Sequence, residues 1–108
     1  MRKQKDDCFY LERIINDIDF IIKNTTGVSL EDLQKNEVLL DSMVFRLIQI
    51  SENSKRLSEK FKQEHKDVPW MDISGLRNRL VHDYSNVDLT IVHMTVSNDI
   101  PRLKKSLE

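Results

Sequence analysis

The sequence predicts an all-α protein, an antiparallel helical bundle of four main helices and one short helix. Two observations carry that expectation. Apolar residues recur at alternating steps of three and four along most of the chain, the period of a helix with one buried face. The 108 residues also include only 2 Gly and 2 Pro, too few for the tight turns that a sandwich or barrel of short strands consumes. No repeat, low-complexity stretch or linker-like composition divides the chain, so residues 1–108 read as one helical domain.

Each element follows from its own signals. Cys8, Leu11, Ile15, Ile18 and Ile22 set the first stripe, and Phe9, Ile14 and Ile21 widen it, giving a helix over roughly 6–24 that faces two neighbours. Thr25, Thr26 and Gly27 stop it, with glycine supplying a left-handed cap. Ser29 followed by Asp32 forms an imperfect capping box for a short helix from Leu30 to about Lys35. Asn36 caps the longest helix, about 25 residues, whose stripe is Leu40, Met43, Leu47, Ile50, Ser54, Leu57 and Phe61 and which runs to about Lys62. Lys55, Arg56, Lys60 and Lys62 gather at its end beside Glu59; there they complement the helix dipole or, alternatively, form an RNA-facing patch.

Gln63 to Asp67 reads as a loop. Pro69 suits the first turn of the next helix, where its missing N–H is harmless, and Trp70, Ile73, Leu76, Leu80 and Tyr84 carry the period onward. Trp70 is expected to anchor the core, and His65 and His93 to be structural. Ser85 to Asp88 break the pattern before a last helix with Leu89, Val92, Val96, Ile100, Leu103 and Leu107. Pro101 inside it predicts a kink near Ser97.

Charge and cysteine content exclude several functions. Lys and Arg number 17 against 18 Asp and Glu, for a net charge of −1, so the whole molecule is not steered toward nucleic acid and any such contact needs a local patch. A single cysteine, Cys8, rules out an intrachain disulfide and a thiolate zinc cage. No apolar run approaches the roughly 20 residues that span a bilayer. The N-terminus, Met-Arg-Lys-Gln-Lys-Asp-Asp, has neither the apolar stretch nor the cleavage site of a signal peptide. The expectation is a cytoplasmic protein, away from membranes, whose small core favours oligomerisation.

Chemistry concentrates in Gly75-Leu76-Arg77-Asn78-Arg79-Leu80-Val81-His82-Asp83-Tyr84. On a continuous helix Asn78 and His82 are four apart, so the amide can hold one imidazole nitrogen and leave the other free. Arg79 and Asp83 make an ordinary surface ion pair, and Arg77 and Tyr84 share a stripe. Arg77 and His82 lie about 140° apart around an ideal helix. Either the arginine wraps toward the histidine, or the helix ends near His82, or a second copy of the chain completes the site across a two-fold axis. Clustered metal ligands, a glycine-rich phosphate loop and a nucleophile turn are all missing from the sequence. What remains is a base with an unperturbed pKa of roughly 6.5 and a guanidinium that clamps phosphate. Those parts can cleave RNA without metal or cofactor, the nucleophile being the RNA's own 2′-OH; the spacing alone leaves open the alternative that His82 is a helix-end cap or a buried hydrogen-bond partner.

Arg77, four residues, His82, one residue, Tyr84 resembles the signature of the HepT-like branch of the HEPN superfamily. Val68-Pro69-Trp70, Ile73, Gly75-Leu76-Arg77-Asn78, Val87-Asp88-Leu89 and the late Asp99-Ile100-Pro101 agree with that family as well. The resemblance implies a helical bundle that forms a homodimer, with the Arg–His pairs of two subunits in one cleft. It makes Arg77 and His82 the catalytic pair of a metal-independent endoribonuclease, with Asn78 in support. It further implies a toxin of a type VII toxin–antitoxin pair, whose partner, an MntA-type nucleotidyltransferase, silences it by transferring AMP from ATP to Tyr84. A phenol carrying AMP would set phosphate and adenine where RNA must bind. The competing reading is a non-catalytic helical module that binds and positions a nucleotidyltransferase.

Overall fold

The structure, a computed structural model, describes residues 6–83 and 86–108, with the backbone alone at 82 and 83. Helices α1 (Asp7–Thr25) and α3 (Glu37–Lys55) form its centre. They run antiparallel, because their contacts climb one helix while descending the other: Asp7 with Ser58 just past α3, Arg13 with Gln49, and Asp17 with Arg46. On the far side of α3 lie α5 (Trp70–Ser74) and α6 (Leu76–Leu80). Against α1 packs the last helical run, made of α7 (Leu89–Met94), a π-helical turn (Thr95–Asp99) and α8 (Ile100–Leu107), and α7 also meets α6. The short helix α2 (Leu30–Lys35) packs between α3 and α7, and α4 (Glu59–Glu64) follows α3 along the chain toward α5. The all-α bundle expected from the periodicity is present. Among the described residues the one departure is a small antiparallel pair, β1 (Val81–Asp83) with β2 (Asn86–Val87).

The caps form as the sequence predicts. Ser29 and Asp32 make a reciprocal capping box, and the Ser29 backbone N–H, followed by its hydroxyl, holds the Asp32 carboxyl below its ordinary pKa. Asn36 caps α3 by accepting from the Leu39 N–H at 3.0 Å. Gly27 takes a φ of 76°, a left-handed conformation that follows α1 at little steric cost.

The core joins Ile14, Ile18 and Ile21 of α1 to Met43, Leu47 and Ile50 of α3, with Leu76 and Leu80 on one flank and Val92, Val96 and Ile100 on the other. The α1 stripe is rotated from the one expected. Ile15 and Ile22 are half-buried and Cys8 is exposed, whereas Asp17 is buried and pairs with Arg46 at 2.9 Å. The Arg46 guanidinium lies over the Phe20 ring at 3.9 Å, so a charge inside the helix pair keeps both an ionic and an aromatic partner.

Three long helices of the sequence reading break where a competing partner intercepts the backbone. The helix expected to reach Lys62 ends at Lys55, and Ser58 starts α4 by accepting from the Phe61 N–H at 3.1 Å. Asp7 fixes that joint, its two oxygens accepting from the Ser58 N–H at 2.7 Å and the Ser58 hydroxyl at 2.6 Å. The helix through Trp70 is divided at Gly75 and stops at Leu80. The last helix widens to a π-helical turn instead of simply kinking: Pro101 has no N–H for the Ser97 carbonyl, and the Ile100 N–H reaches back five residues to Thr95.

The Ser58 hydrogen bonds hold the Asp7 carboxyl below its ordinary 3.8. A carboxyl whose pKa is lower folded than unfolded contributes stability above the unfolded value and loses it as pH falls through the folded one. Asp7→Asn is therefore expected to destabilise the protein by about 1 kcal/mol at neutral pH, given the solvent exposure of the joint. Urea melts should show that difference shrinking below pH 4. A constant difference down to pH 2 would assign the effect to geometry, not charge.

Candidate active site

Helix α6 positions the candidate site from beneath. Leu76 and Leu80 are four residues apart and buried, at 3% and 0% exposure, so the intervening Arg77, Asn78 and Arg79 all face solvent. Behind the helix the support comes from α3, where the Ser51 hydroxyl donates to the Ser74 carbonyl at 3.1 Å and Ser54 donates to the Ser51 carbonyl at 2.8 Å. Both serines are fully buried. Small hydroxyls at these positions let the α5–α6 joint approach α3 closely while satisfying a carbonyl freed by the break at Gly75. The heptad stripe included Ser54 as a core position; Ser51 was legible only as a second serine three residues earlier.

The helix ends at Leu80 because its carbonyl accepts the Asp88 N–H at 2.8 Å and Val81 enters extended conformation, pairing with Val87. Asp88 then caps α7 by accepting from the Ile91 N–H at 3.1 Å. The pairing partners are Val81 with Val87 and Asp83 with Asn86, a slip of one residue that leaves His82 as the extra residue of a bulge.

This geometry corrects the helical spacing arguments. Asn78 and His82 are not successive turns of one helix, and neither are Arg79 and Asp83, since α6 stops before the second member of each pair. Of the three solutions to the 140° problem, the backbone adopts the one in which the helix ends next to His82. Arg77 and Asn78 are exposed on α6, and His82 follows two residues after its last turn. Tyr84 and the His82 side chain lie outside the described residues.

The other candidates take the structural roles expected. His65 Nδ1 lies 2.9 Å from the Phe61 carbonyl, and its ring stacks on Phe61 with centroids 4.2 Å apart. Trp70 is half-buried and donates its indole N–H to the His65 carbonyl at 3.0 Å. His93 Nε2 is 3.0 Å from the Val28 carbonyl, tying α7 to the end of α1. Among the described residues, no three His, Cys, Asp or Glu side chains are grouped to hold a metal ion, and no helix is long and apolar enough to cross a membrane.

Comparison with known proteins gives the chain's family. The family model for HepT-like ribonucleases matches residues 14–108. A candidate RNase of Caldanaerobacter subterraneus subsp. tengcongensis is 37% identical over 99 residues, covering 92% of this chain and 88% of that protein. A candidate ribonuclease HepT of Thermococcus cleftensis is 34% identical over 107 residues, covering 99% and 94%. A candidate RNase of Methanocaldococcus jannaschii is 27% identical over 105 residues, covering 97% and 96%. No solved structure matches.

Proposed function

The chain belongs to the HepT-like ribonuclease family, and from that premise we propose that it is a toxin endoribonuclease using Arg77 and His82. The observation that carries the proposal is the end of α6: an exposed arginine on the last helical turn, then a histidine at a β-bulge, on a floor of buried leucines. Bulges re-aim side chains and recur beside active sites.

The chemistry needs no nucleophile from the protein. His82 removes the proton from a ribose 2′-OH, whose oxygen attacks the adjacent phosphorus. The bond from phosphorus to the 5′-oxygen breaks, and that oxygen takes a proton from an imidazolium, the second His82 of a homodimer. Arg77 donates two parallel hydrogen bonds to the non-bridging oxygens as charge builds on them. The products are a 2′,3′-cyclic phosphate and a free 5′-OH. Asn78, exposed one residue beyond Arg77, supports the substrate phosphate. An MntA-type nucleotidyltransferase antitoxin would silence the site by joining the AMP phosphorus to the Tyr84 oxygen and releasing pyrophosphate from ATP.

The test is incubation with total RNA in excess EDTA, after intact-mass measurement shows Tyr84 unmodified. Cleavage with cyclic-phosphate ends is expected, and a requirement for Mg²⁺ would overturn the metal-independent mechanism. Tyr84→Phe should still cleave RNA but gain no AMP mass with the nucleotidyltransferase and ATP; added mass on that variant would move the modification elsewhere. A stable complex with the nucleotidyltransferase and no cleavage under any condition would favour the non-catalytic module.

A further inference from the structure

The residues of α5 and α6 present two distinct sides. Gly75 (φ −88°, ψ 0°) breaks the helix between them, so each side is defined by the residues that line it. Asp72, Leu76 and Arg79 fall on one side, where a cavity of about 180 Å³ opens toward α8. Trp70, Met71 and Ser74 fall on the other, Ser74 standing three residues before Arg77. That second side forms one wall of a groove of about 550 Å³ whose opposite wall is α4 and the turn after it, carrying Lys62, Gln63 and Lys66, with Glu59 also lining it.

The groove suits a nucleotide in size and in chemistry. Among the described residues, neither Lys62 nor Lys66 has a carboxylate within ion-pair distance; Lys62 feels Asp7 only as a more distant charge. Met71 is 89% exposed, the most exposed large apolar side chain among the described residues, and lies beside the half-buried Trp70. Two unpaired ammonium groups facing an apolar ledge match a single-stranded nucleic acid, with phosphates on the lysines and a base on the ledge. Such a groove would serve as the local patch that a net charge of −1 demands, with its α5 wall ending three residues before Arg77.

We propose that the α4–α5 groove holds the RNA strand next to the cleaved phosphate, Lys62 and Lys66 contacting its backbone and the exposed Met71, backed by the structural Trp70, packing against a base. This rests on the ribonuclease reading and extends it to substrate positioning. The test measures binding of a short single-stranded RNA with 2′-O-methyl riboses, which cannot undergo 2′-OH attack, by fluorescence anisotropy over a range of salt. Lys62→Ala/Lys66→Ala should weaken binding about tenfold and lower the slope of log affinity against log salt by about 1.4, two single-strand phosphate contacts. Lys105→Ala, an exposed charge on α8, should change neither, and Met71→Ala should weaken binding without changing the slope. On unmethylated RNA the double variant should show its loss as a raised KM.

Equal binding and slope in wild type and double variant would overturn the groove while leaving the ribonuclease intact. So would an equal loss from Lys105→Ala, which would mark a general charge effect. Failure of the wild type to bind or cleave RNA at all would remove the ribonuclease reading itself.

Discussion

His82→Ala should lower RNA cleavage by roughly 10²–10⁴-fold, the usual worth of a positioned general acid or base, and Arg77→Ala by roughly 10²–10³-fold, the worth of one donor to a developing oxyanion. Both variants should fold. The Arg77 side chain is exposed and makes no hydrogen bond or ion pair among the described residues, and removing such a side chain changes stability by no more than about 0.5 kcal/mol. Circular dichroism and thermal melting check that point before any assay. Arg77→Lys separates charge from geometry: lysine keeps the cation but loses the planar fork that grips two oxygens at once, so it should recover only part of the rate. If the subunits of a dimer each provide one half of the chemistry, mixing excess His82→Ala with wild type should depress activity more steeply than dilution predicts. Wild-type cleavage by either alanine variant would sink the mechanism.

Much of the fold was legible because its signals are local. Ser29, Asp32 and Asn36 cap helices through bonds to residues three positions away, and Gly27 supplies a conformation that few other residues adopt cheaply. The buried α3 stripe of Met43, Leu47 and Ile50 follows from period alone. The misread breaks depend on partners distant in sequence. Asp7 reaches Ser58 across 51 positions, and Ser51 reaches Ser74 across 23; no periodicity announces either. The short β pair was hidden for another reason. Leu80, Val81 and Tyr84 fit a helical stripe, and the signals against it were the β-branched Val81 and Val87 flanking a polar turn, with Asp88 as a cap beyond. The sequence offered candidate residues for the site, but not their relative backbone geometry, which depends on where α6 stops.

That stop makes Leu80 the residue whose loss should couple stability to activity most strongly. It is fully buried, it ends the helix that carries Arg77, and its carbonyl accepts the Asp88 N–H that closes the β pair. Leu80→Ala removes several buried carbons and leaves a cavity, with an expected cost of about 2–5 kcal/mol against a total stability of about 5–15 kcal/mol. The melting temperature should fall by about 10–20 °C. Ile18→Ala, at an equally buried position on α1, should lower stability by a similar amount. The two should part in activity. At a temperature where both variants are mostly folded, Ile18→Ala should cleave RNA near the wild-type rate, because α1 bears none of the candidate site residues. Leu80→Ala should lose at least about tenfold, since a displacement of 1 Å at a catalytic group can cost roughly a hundredfold. Equal activity in the two variants would mean that α6 keeps its end without the leucine. The hydrogen bond from Asp88, a backbone contact that the substitution leaves in place, would then be what holds Arg77 and His82 in register.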